Sequence, residues 1–233
     1  MHLSEAQPRR RDKEARPQQL LDAALSLFVE KGFTATRAEE VAKLAGVSKG
    51  TLYLYFPSKE ELLKAVINEH LSLRIAEAAR LVAGHEGSAS GLLDGMLVQW
   101  WGRLYDSPAS GVFKLVITEV RNFPDIAQFY AREVVEPAHQ LLGGVLQRGM
   151  ASGEFRQVNL EDAVHSLVLP LIMLCLHRHS LGACAPGGCA LDWHMDGHRF
   201  IAAHVALVLQ GLRAPALPGA ATSPPIPLSL PSP

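Results

Sequence analysis

The sequence predicts an all-α fold of about nine helices. Apolar residues recur at helical spacing along most of the 233-residue chain, and the strict alternation typical of β-strands is absent. Proline and glycine separate the periodic stretches. A hydroxyl residue followed three positions later by Glu, the pattern of a capping box, occurs at Thr36–Glu39 and Ser58–Glu61. These observations predict an N-terminal three-helix domain that a long helix joins to a C-terminal helical bundle.

The first helix is predicted to begin at Pro17, because proline suits the first turn of a helix, and to end at Gly32. Its apolar face carries Leu20, Ala24 and Phe28. The preceding residues 1–16 are polar and are predicted to form a disordered basic arm. The first domain is expected to span residues 17–71.

The next two helices are predicted to pack across a tight turn. The first of them starts at the N-cap Thr36 and ends at Ala45, and the second covers Lys49 to Tyr55 behind the N-cap Ser48. Gly46 lies where a sharp turn between packed helices requires a residue without a Cβ. This arrangement is a helix-turn-helix, in which the second helix enters the DNA major groove. Leu52, Leu54 and Phe56 are interpreted as core residues or buried anchors.

A fourth helix is expected from Ser58 to Gly84, since its apolar residues form one helical stripe. Five more helices are predicted at roughly 89–106, 110–122, 124–152, 159–179 and 191–213, with kinks at Pro137 and Pro170. Residues 72–213 are therefore expected to form a second domain. Residues 214–233 contain seven prolines and are predicted to be disordered.

Composition limits the possible functions. The net charge is −1, and residues 1–70 hold 11 Lys and Arg against 10 Asp and Glu, which disfavours an architectural, sequence-nonspecific DNA protein. Charged residues interrupt the apolar runs, so no membrane span is expected. The three cysteines all lie between 175 and 189, which favours a reducing cytoplasm. Motifs of common enzyme sites are absent, so we expect no enzymatic activity and no cofactor.

The start of the third helix is predicted to contact DNA. Ser48, Lys49, Thr51 and Tyr53 are expected on its exposed side, and Gly50 permits a close approach. Lys49 can donate to guanine or to phosphate. The alternatives are that Tyr53 or Tyr55 belongs to the core and that Lys49 is only a solvated charge. A basic face is expected to combine charges from the arm and the helices: Arg9, Arg10, Arg11, Lys13, Arg16, Arg37, Lys49 and Lys59.

Three sequence blocks at fixed spacing resemble the N-terminal domain of the TetR family of bacterial transcription regulators. They run from Ala24 to Phe33, from Ala45 to Phe56 and from Ser58 to Leu62. The resemblance implies a ligand-responsive repressor released from a palindromic double-stranded DNA operator by a small hydrophobic effector. It also implies phosphate contacts by Tyr53, Tyr55 and Lys59, with Thr36 and Arg37 at the second helix's N-terminus. Arg37 stands where the family commonly has a small hydroxyl residue.

Family resemblance further implies a homodimer formed through the last two helices. Their apolar stripes are Val164, Leu167, Val168, Leu171 and Cys175, and Ile201, His204, Val205, Val208, Leu209 and Leu212. The alternative is that both stripes pack inside one subunit. An effector pocket is expected among the middle helices. Its candidate lining residues are Trp100, Trp101, Tyr105, Phe113, Phe129, Tyr130 and Met173. The alternative is that these side chains are ordinary core residues.

A cluster of metal-ligand types near the C-terminus leaves a second function open. Within 24 residues the chain carries Cys175, His177, His179, Cys184, Cys189, His194 and His198. The spacing of these residues matches no metal motif of known geometry. A zinc- or copper-responsive regulator is therefore the alternative function, and solvent-exposed histidines are the simpler explanation.

Overall fold

The computed structural model describes residues 8–119, 121–180 and 195–214, and within these ranges the chain is helical with one isolated bridge between Phe155 and Arg213. The α-helices are α1 Pro8–Lys31, α2 Ala38–Leu44, α3 Lys49–Tyr55, α4 Lys59–Ile67, α5 Leu73–Ala83, α6 Ala89–Asp106, α7 Val112–Glu119, α8 Pro124–Tyr130, α9 Glu136–Ala151, α10 Leu160–His179 and α11 Gly197–Leu212. Single π-helical turns, Asn68–Ser72 and Ala131–Val135, make α4–α5 and α8–α9 continuous, and a 3₁₀ turn, Pro108–Gly111, precedes α7. Counted as continuous units, the described ranges form nine helices, so the predicted all-α architecture is confirmed.

The first helix begins earlier than predicted. α1 starts at Pro8 and contains Pro17 in its interior, so residues 8–16 are helical rather than a disordered arm. The residues before Pro17 are mostly Arg, Lys, Glu and Ala, which favour helix, and their propensity outweighs the proline signal used to place the start. Residues 1–7 of the predicted arm and 215–233 of the predicted tail lie outside the described ranges.

The helix-turn-helix is held by short-range contacts. Gly46 has a φ of +69°, and the Val47 N–H donates to the Ala42 carbonyl at 2.9 Å, which ends α2 in a left-handed turn. The Ser48 hydroxyl accepts from the Thr51 N–H at 3.1 Å, as predicted for an N-cap. The Ser58 hydroxyl caps α4 in the same way by accepting from the Glu61 N–H.

The start of α2 differs from the prediction. Its N-cap is Arg37, whose backbone N–H donates to the Glu40 carboxylate at 3.0 Å. Thr36 is buried, and its hydroxyl donates to the carbonyls of Leu27 and Gly32 at 3.2 and 2.7 Å. The predicted Thr36–Glu39 capping box is therefore shifted by one residue, because the Thr36 hydroxyl donates to carbonyls at the end of α1 and does not cap α2.

We call α1–α4 the head and α5–α11 the body. The head packs around Leu20, Phe28, Phe33, Leu52 and Leu62, all of which are fully buried. The Phe28 and Phe33 rings meet edge to face, with centroids 5.2 Å apart. In the body, α11 packs on α6 and α10, and α9 packs on α5, α6 and α10. One apolar core is continuous through both regions.

Two features of the long helices add to the sequence interpretation. Pro137 enters α9 directly after the π turn, and the wider turn accommodates the missing N–H of proline. By length and composition alone, α10 could cross a membrane, which the sequence interpretation had not anticipated. A core helix of a soluble protein satisfies the same criterion, and α10 packs on α7, α9 and α11. Residues 191–194 of the last predicted helix lie outside the described ranges.

Candidate nucleic-acid interface and ligand cavity

The outer face of α3 is exposed and carries the Lys49 ammonium group, a glycine and an aromatic ring. Burial of Leu52 fixes the rotation of α3, which leaves Ser48, Lys49, Gly50 and Tyr53 on the surface. A Cβ added to Gly50 would meet only the Ser48 hydroxyl, at 3.8 Å. The fold itself therefore does not require glycine here, which is compatible with the close approach of another molecule.

Lys49 is paired on the surface rather than buried. Its ammonium group contacts the Glu39 carboxylate and lies 5.8 Å from the centroid of the Tyr53 ring. The hydrogen bond to Glu39 raises the pKa of Lys49, so the group stays charged. Because exposed ion pairs are weak, Lys49 can exchange Glu39 for a phosphate or a base at little cost. Glu39 also competes with any such ligand.

Lys59 was predicted to lie on an outward basic face, but its ammonium group turns toward the backbone of the head. Its Nζ donates to the carbonyl oxygens of Phe33, Thr34 and Thr36 at 2.9, 3.3 and 3.0 Å and lies 4.5 Å from the centroid of the Phe33 ring. An ammonium group has three N–H donors, and the head uses all of them. The structure therefore shows Lys59 and the buried Thr36 bonded to the α1–α2 turn, and their predicted DNA contacts stay predictions.

The other predicted contact residues lie at the edges of α2 and α3. Arg37 is exposed at the N-terminus of α2. Thr51 is half-buried, and its hydroxyl shares a 2.9 Å hydrogen bond with that of Ser48. Tyr55 is half-buried against the core. Of these three side chains, Arg37 is the most accessible to a ligand.

The sequence interpretation missed an exposed leucine on α3. Leu54 is 79% exposed, whereas it was predicted to be a buried anchor like Leu52. Leu54 follows Gly50 by four residues, so both lie on the same outward stripe of the helix. That spacing could have identified Leu54 as a surface residue. Phe56 is partly buried against the core, as predicted.

A cavity of about 320 Å³ lies inside the body. Its walls come from the π turn after α4, from α5, α6 and α7, and from α8 to α10. Four of the predicted pocket residues line it: Trp100, Trp101, Phe113 and Tyr130. Trp101 stacks on Phe113, with centroids 5.7 Å apart and an interplanar angle of 22°. Exposed Ile117, Val135 and Leu169 also belong to the lining, which indicates that the cavity opens to the surface there.

Three predicted pocket residues lie elsewhere. Tyr105 contacts Arg178 and His198, Phe129 packs on the core, and Met173 is exposed on α10. Tyr105 is four residues after Trp101 on α6, but there the helix faces the ends of α10 and α11 instead of the cavity. Aromatic character alone did not distinguish these positions, because the direction each side chain takes depends on which helices pack nearby.

The cavity wall contains little polar chemistry. Among the described residues, the lining has no Asp, Glu, Lys or Arg, and its two histidines are His139 and His165. Burial raises the pKa of Tyr130 to about 12, so its phenol remains protonated. The cavity therefore suits a mainly apolar molecule.

Specific contacts join the head to the body next to this cavity. The Thr34 hydroxyl donates to the Glu119 carboxylate at 2.9 Å, and Lys114 Nζ donates to the Val29 carbonyl at 3.3 Å. The Phe33 and Phe123 rings meet edge to face, with centroids 5.0 Å apart. Because α7 carries Lys114 and Glu119 as well as part of the cavity wall, it contacts both the head and any occupant of the cavity.

The predicted dimer stripes face inward. Leu167, Leu171 and Cys175 of α10 and Ile201 and Val205 of α11 are buried within the subunit. On these helices the large exposed apolar side chains in the described ranges are different ones: Leu169, Met173 and Leu207. Most of both stripes is therefore buried in the subunit core, whereas Val168, His204 and Val208 are half-buried, and the dimer interface stays a prediction.

Described members of the Cys/His cluster do not converge. Cys175 is buried, and burial raises the pKa of its thiol to about 12. His179 bonds the Ser110 hydroxyl at 2.7 Å, and His198 pairs with Asp106 at 2.8 Å. His177 also has a partner within the protein. Cys184, Cys189 and His194 lie outside the described residues, and among those described no group of three or more potential metal ligands occurs.

Comparison with known proteins agrees with this architecture. The family profile of bacterial regulatory proteins, tetR family, matches residues 20–66. The transcriptional regulator RutR of Escherichia coli K12 is 47% identical over 68 residues, 29% of this chain, and that match spans only 32% of RutR. A solved structure of FadR from Bacillus subtilis in complex with stearoyl-CoA superimposes with a TM-score of 0.65 and 20% identity, over 84% of this chain and 99% of that one.

A longer match extends into the body. The transcriptional repressor KstR2 of Rhodococcus jostii RHA1 is 31% identical over 145 residues, covering 62% of this chain and 70% of that protein. At 145 residues this match is longer than the head, so it includes residues of the body. The chain belongs to the TetR family of bacterial regulatory proteins.

Proposed function

We propose that the protein is a sequence-specific DNA-binding repressor that a small apolar effector releases from a palindromic operator. The observation that carries this proposal is the outer face of α3, where Lys49, Gly50 and Tyr53 are exposed on a rigidly capped helix. A helix in the major groove reads bases with residues near its N-terminus, and these residues lie there. Arg37 and Ser48 flank this face and are suited to phosphate contacts.

A homodimer would place two copies of α3 on one duplex. The exposed apolar side chains Leu169, Met173 and Leu207 on α10 and α11 support an interface through the last two helices. Two recognition helices about 34–36 Å apart would fit successive major grooves and would select a palindromic site. Because its target is chromosomal DNA, we place the protein in the bacterial cytoplasm.

The position of the cavity supports ligand control. Leu71 in the π turn between α4 and α5 lines the cavity, and so do Phe113 and Val116 of α7. Both elements also contact the head. An effector that fits the cavity better in one head orientation shifts the population toward it, by an amount set by its relative affinity for the two states. The stearoyl-CoA bound by FadR and the apolar wall of this cavity both favour a hydrophobic effector.

Substitutions on α3 test the DNA-binding proposal. Lys49→Ala and Tyr53→Ala are expected to weaken binding to a selected duplex by about 10- to 100-fold each, the usual effect of losing one good contact. Lys49→Ala should also reduce the salt dependence of binding by about one counterion. Arg80→Ala, at an exposed position on α5, is the matched control. Wild-type affinity in both folded α3 variants would contradict the proposed interface.

A further inference from the structure

Two histidines lie next to each other in the cavity wall. His139 of α9 and His165 of α10 have ring centroids 4.9 Å apart and an interplanar angle of 65°. Both are half-buried, and both line the cavity. Apart from this pair, the polar atoms of the described lining side chains belong to Tyr130, Trp100 and Trp101. The pair therefore places two hydrogen-bonding rings side by side on a largely apolar wall.

The ring nitrogens of the pair are unused within the described protein. Neither histidine forms a hydrogen bond or ion pair with another described residue, and their shared contact is ring to ring. A neutral imidazole has one N–H donor and one acceptor nitrogen, and a protonated one has two donors. Polar groups at an apolar surface are costly to leave unpaired when a ligand covers them. An occupant that excludes water from these rings must therefore offer them a partner.

We propose that His139 and His165 recognise the single oxygen-bearing end, a carboxylate or carbonyl group, of an otherwise hydrocarbon effector. This inference rests on the proposed ligand-controlled function and specifies the chemistry of its ligand. An oxygen acceptor matches the donors that both rings supply, and the apolar walls accept the rest of the molecule. A cationic ligand is disfavoured because the described lining has no carboxylate.

A metal ion is a weaker fit for the same pair. Zinc sites in proteins use three or four side-chain ligands, and the described residues bring no third histidine, cysteine or carboxylate into a group with these two. The aromatic and aliphatic residues around the pair also provide no oxygen ligand from a carboxylate. The geometry therefore favours an organic acceptor group.

Binding of three matched probes to the full chain tests the proposal. Octanoic acid, methyl octanoate and octane share a hydrocarbon body, but only the first two carry an acceptor group. Trp100 and Trp101 line the cavity, so tryptophan fluorescence reports occupancy, and calorimetry gives the affinity. The acid, the ester or both should bind about 5- to 30-fold more tightly than octane, the value of one or two hydrogen bonds. Preference for the acid identifies a carboxylate ligand, and equal binding of both identifies a carbonyl.

Variants assign that preference to the pair. His139→Phe with His165→Phe should abolish the preference while leaving octane affinity within about twofold. Gln at both positions keeps an N–H donor and should restore part of the preference, so a folding defect in the Phe variant cannot imitate the result. His85→Phe, outside the cavity lining, should behave as wild type. A preference that survives in the Phe variant, or no binding of any probe, would overturn this inference, whereas binding to a selected duplex tests the proposed function independently.

Discussion

The head and the body differ in how their helices are held and in how completely they are packed. In the head, neighbouring residues cap each turn, as Gly46, Ser48 and Ser58 do, and the core residues Phe28, Phe33 and Leu52 are fully buried. In the body, helices far apart in sequence surround a cavity whose lining runs from Leu71 to Ile172. Under the proposed function, a fully packed head beside a body that holds a cavity would let an effector shift the orientation of α3 without deforming it.

The largest effect on stability is expected from replacing Lys59. This substitution tests whether the head depends on the ammonium group that binds its backbone carbonyls. Lys59→Met keeps the aliphatic stem but leaves the carbonyls of Phe33, Thr34 and Thr36 without this donor. We expect a loss of about 2–3 kcal/mol in the free energy of unfolding, measured by urea denaturation. Lys64→Met on the same helix removes only a partly exposed pair with Glu61 and should cost less than about 1 kcal/mol. Equal effects in the two variants would contradict the structural role of Lys59.

A smaller loss of stability is expected where head and body pack so closely that an added methyl group does not fit. A Cβ at Gly111 would lie 2.5 and 2.6 Å from the two γ-carbons of Val29 on α1. Gly111→Ala should therefore destabilise the protein by about 2 kcal/mol, because a β-branched side chain in a helix has little freedom to move.

Two further variants make the Gly111 prediction specific. Gly95→Ala on α6, where nothing lies within 4 Å of the new Cβ, should be neutral or slightly stabilising. Adding Val29→Ala to Gly111→Ala should recover part of the lost thermal stability. Failure of this rescue would show that the strain arises elsewhere.

The polar contact between head and body is expected to contribute less to the free energy of unfolding. Thr34→Val removes the hydroxyl that donates to the nearly buried Glu119 carboxylate, and we expect a loss of about 1 kcal/mol in urea unfolding. Thr118→Val removes a hydroxyl that bonds only backbone within α7, so it is the matched control. If both variants unfold alike, the Thr34–Glu119 contact does not stabilise the junction.

The smallest expected effect is the pH dependence of stability that His70 causes in the π turn. Burial is the main cause that lowers the pKa of His70, and Arg74 also lowers it, while Asp22 and Glu69 act in the opposite direction. The unfolded chain therefore binds a proton at higher pH than the folded one, so stability is complete above about pH 6.5 and declines below it. His70→Leu should flatten this decline in unfolding free energies measured between pH 7.5 and 5.5. His179, whose pKa burial also lowers, remains in the variant and accounts for a residual slope.

The head could be predicted from sequence more fully than the body for a physical reason. Caps and turns depend on residues three or four apart, so the Ser48 and Ser58 caps and the Gly46 turn were predicted correctly. The contacts of Thr36 with Leu27 and of Lys59 with Phe33 were not predicted, because these partners lie 9 and 26 residues away in the sequence.

The body illustrates the same limit over longer distances. Four aromatic residues of the predicted pocket line the cavity, but Tyr105, Phe129 and Met173 do not, since helix rotation decides which side chains point inward. The inward-facing stripes of α10 and α11 have the same periodicity as an interface, so periodicity alone could not separate a core from a dimer contact. The pairing of His139 with His165 joins two helices and had no signal in the sequence.

Selection of bound duplexes from a random DNA pool tests the central claim most directly. The purified full chain is compared with a Lys49→Ala, Tyr53→Ala double variant that circular dichroism shows to be folded. We expect the wild type to enrich one palindromic sequence with half-sites about one helical turn apart, and the variant to enrich none. If the wild type enriches no sequence, or if the variant enriches the same one, then the exposed face of α3 is not the surface that reads DNA.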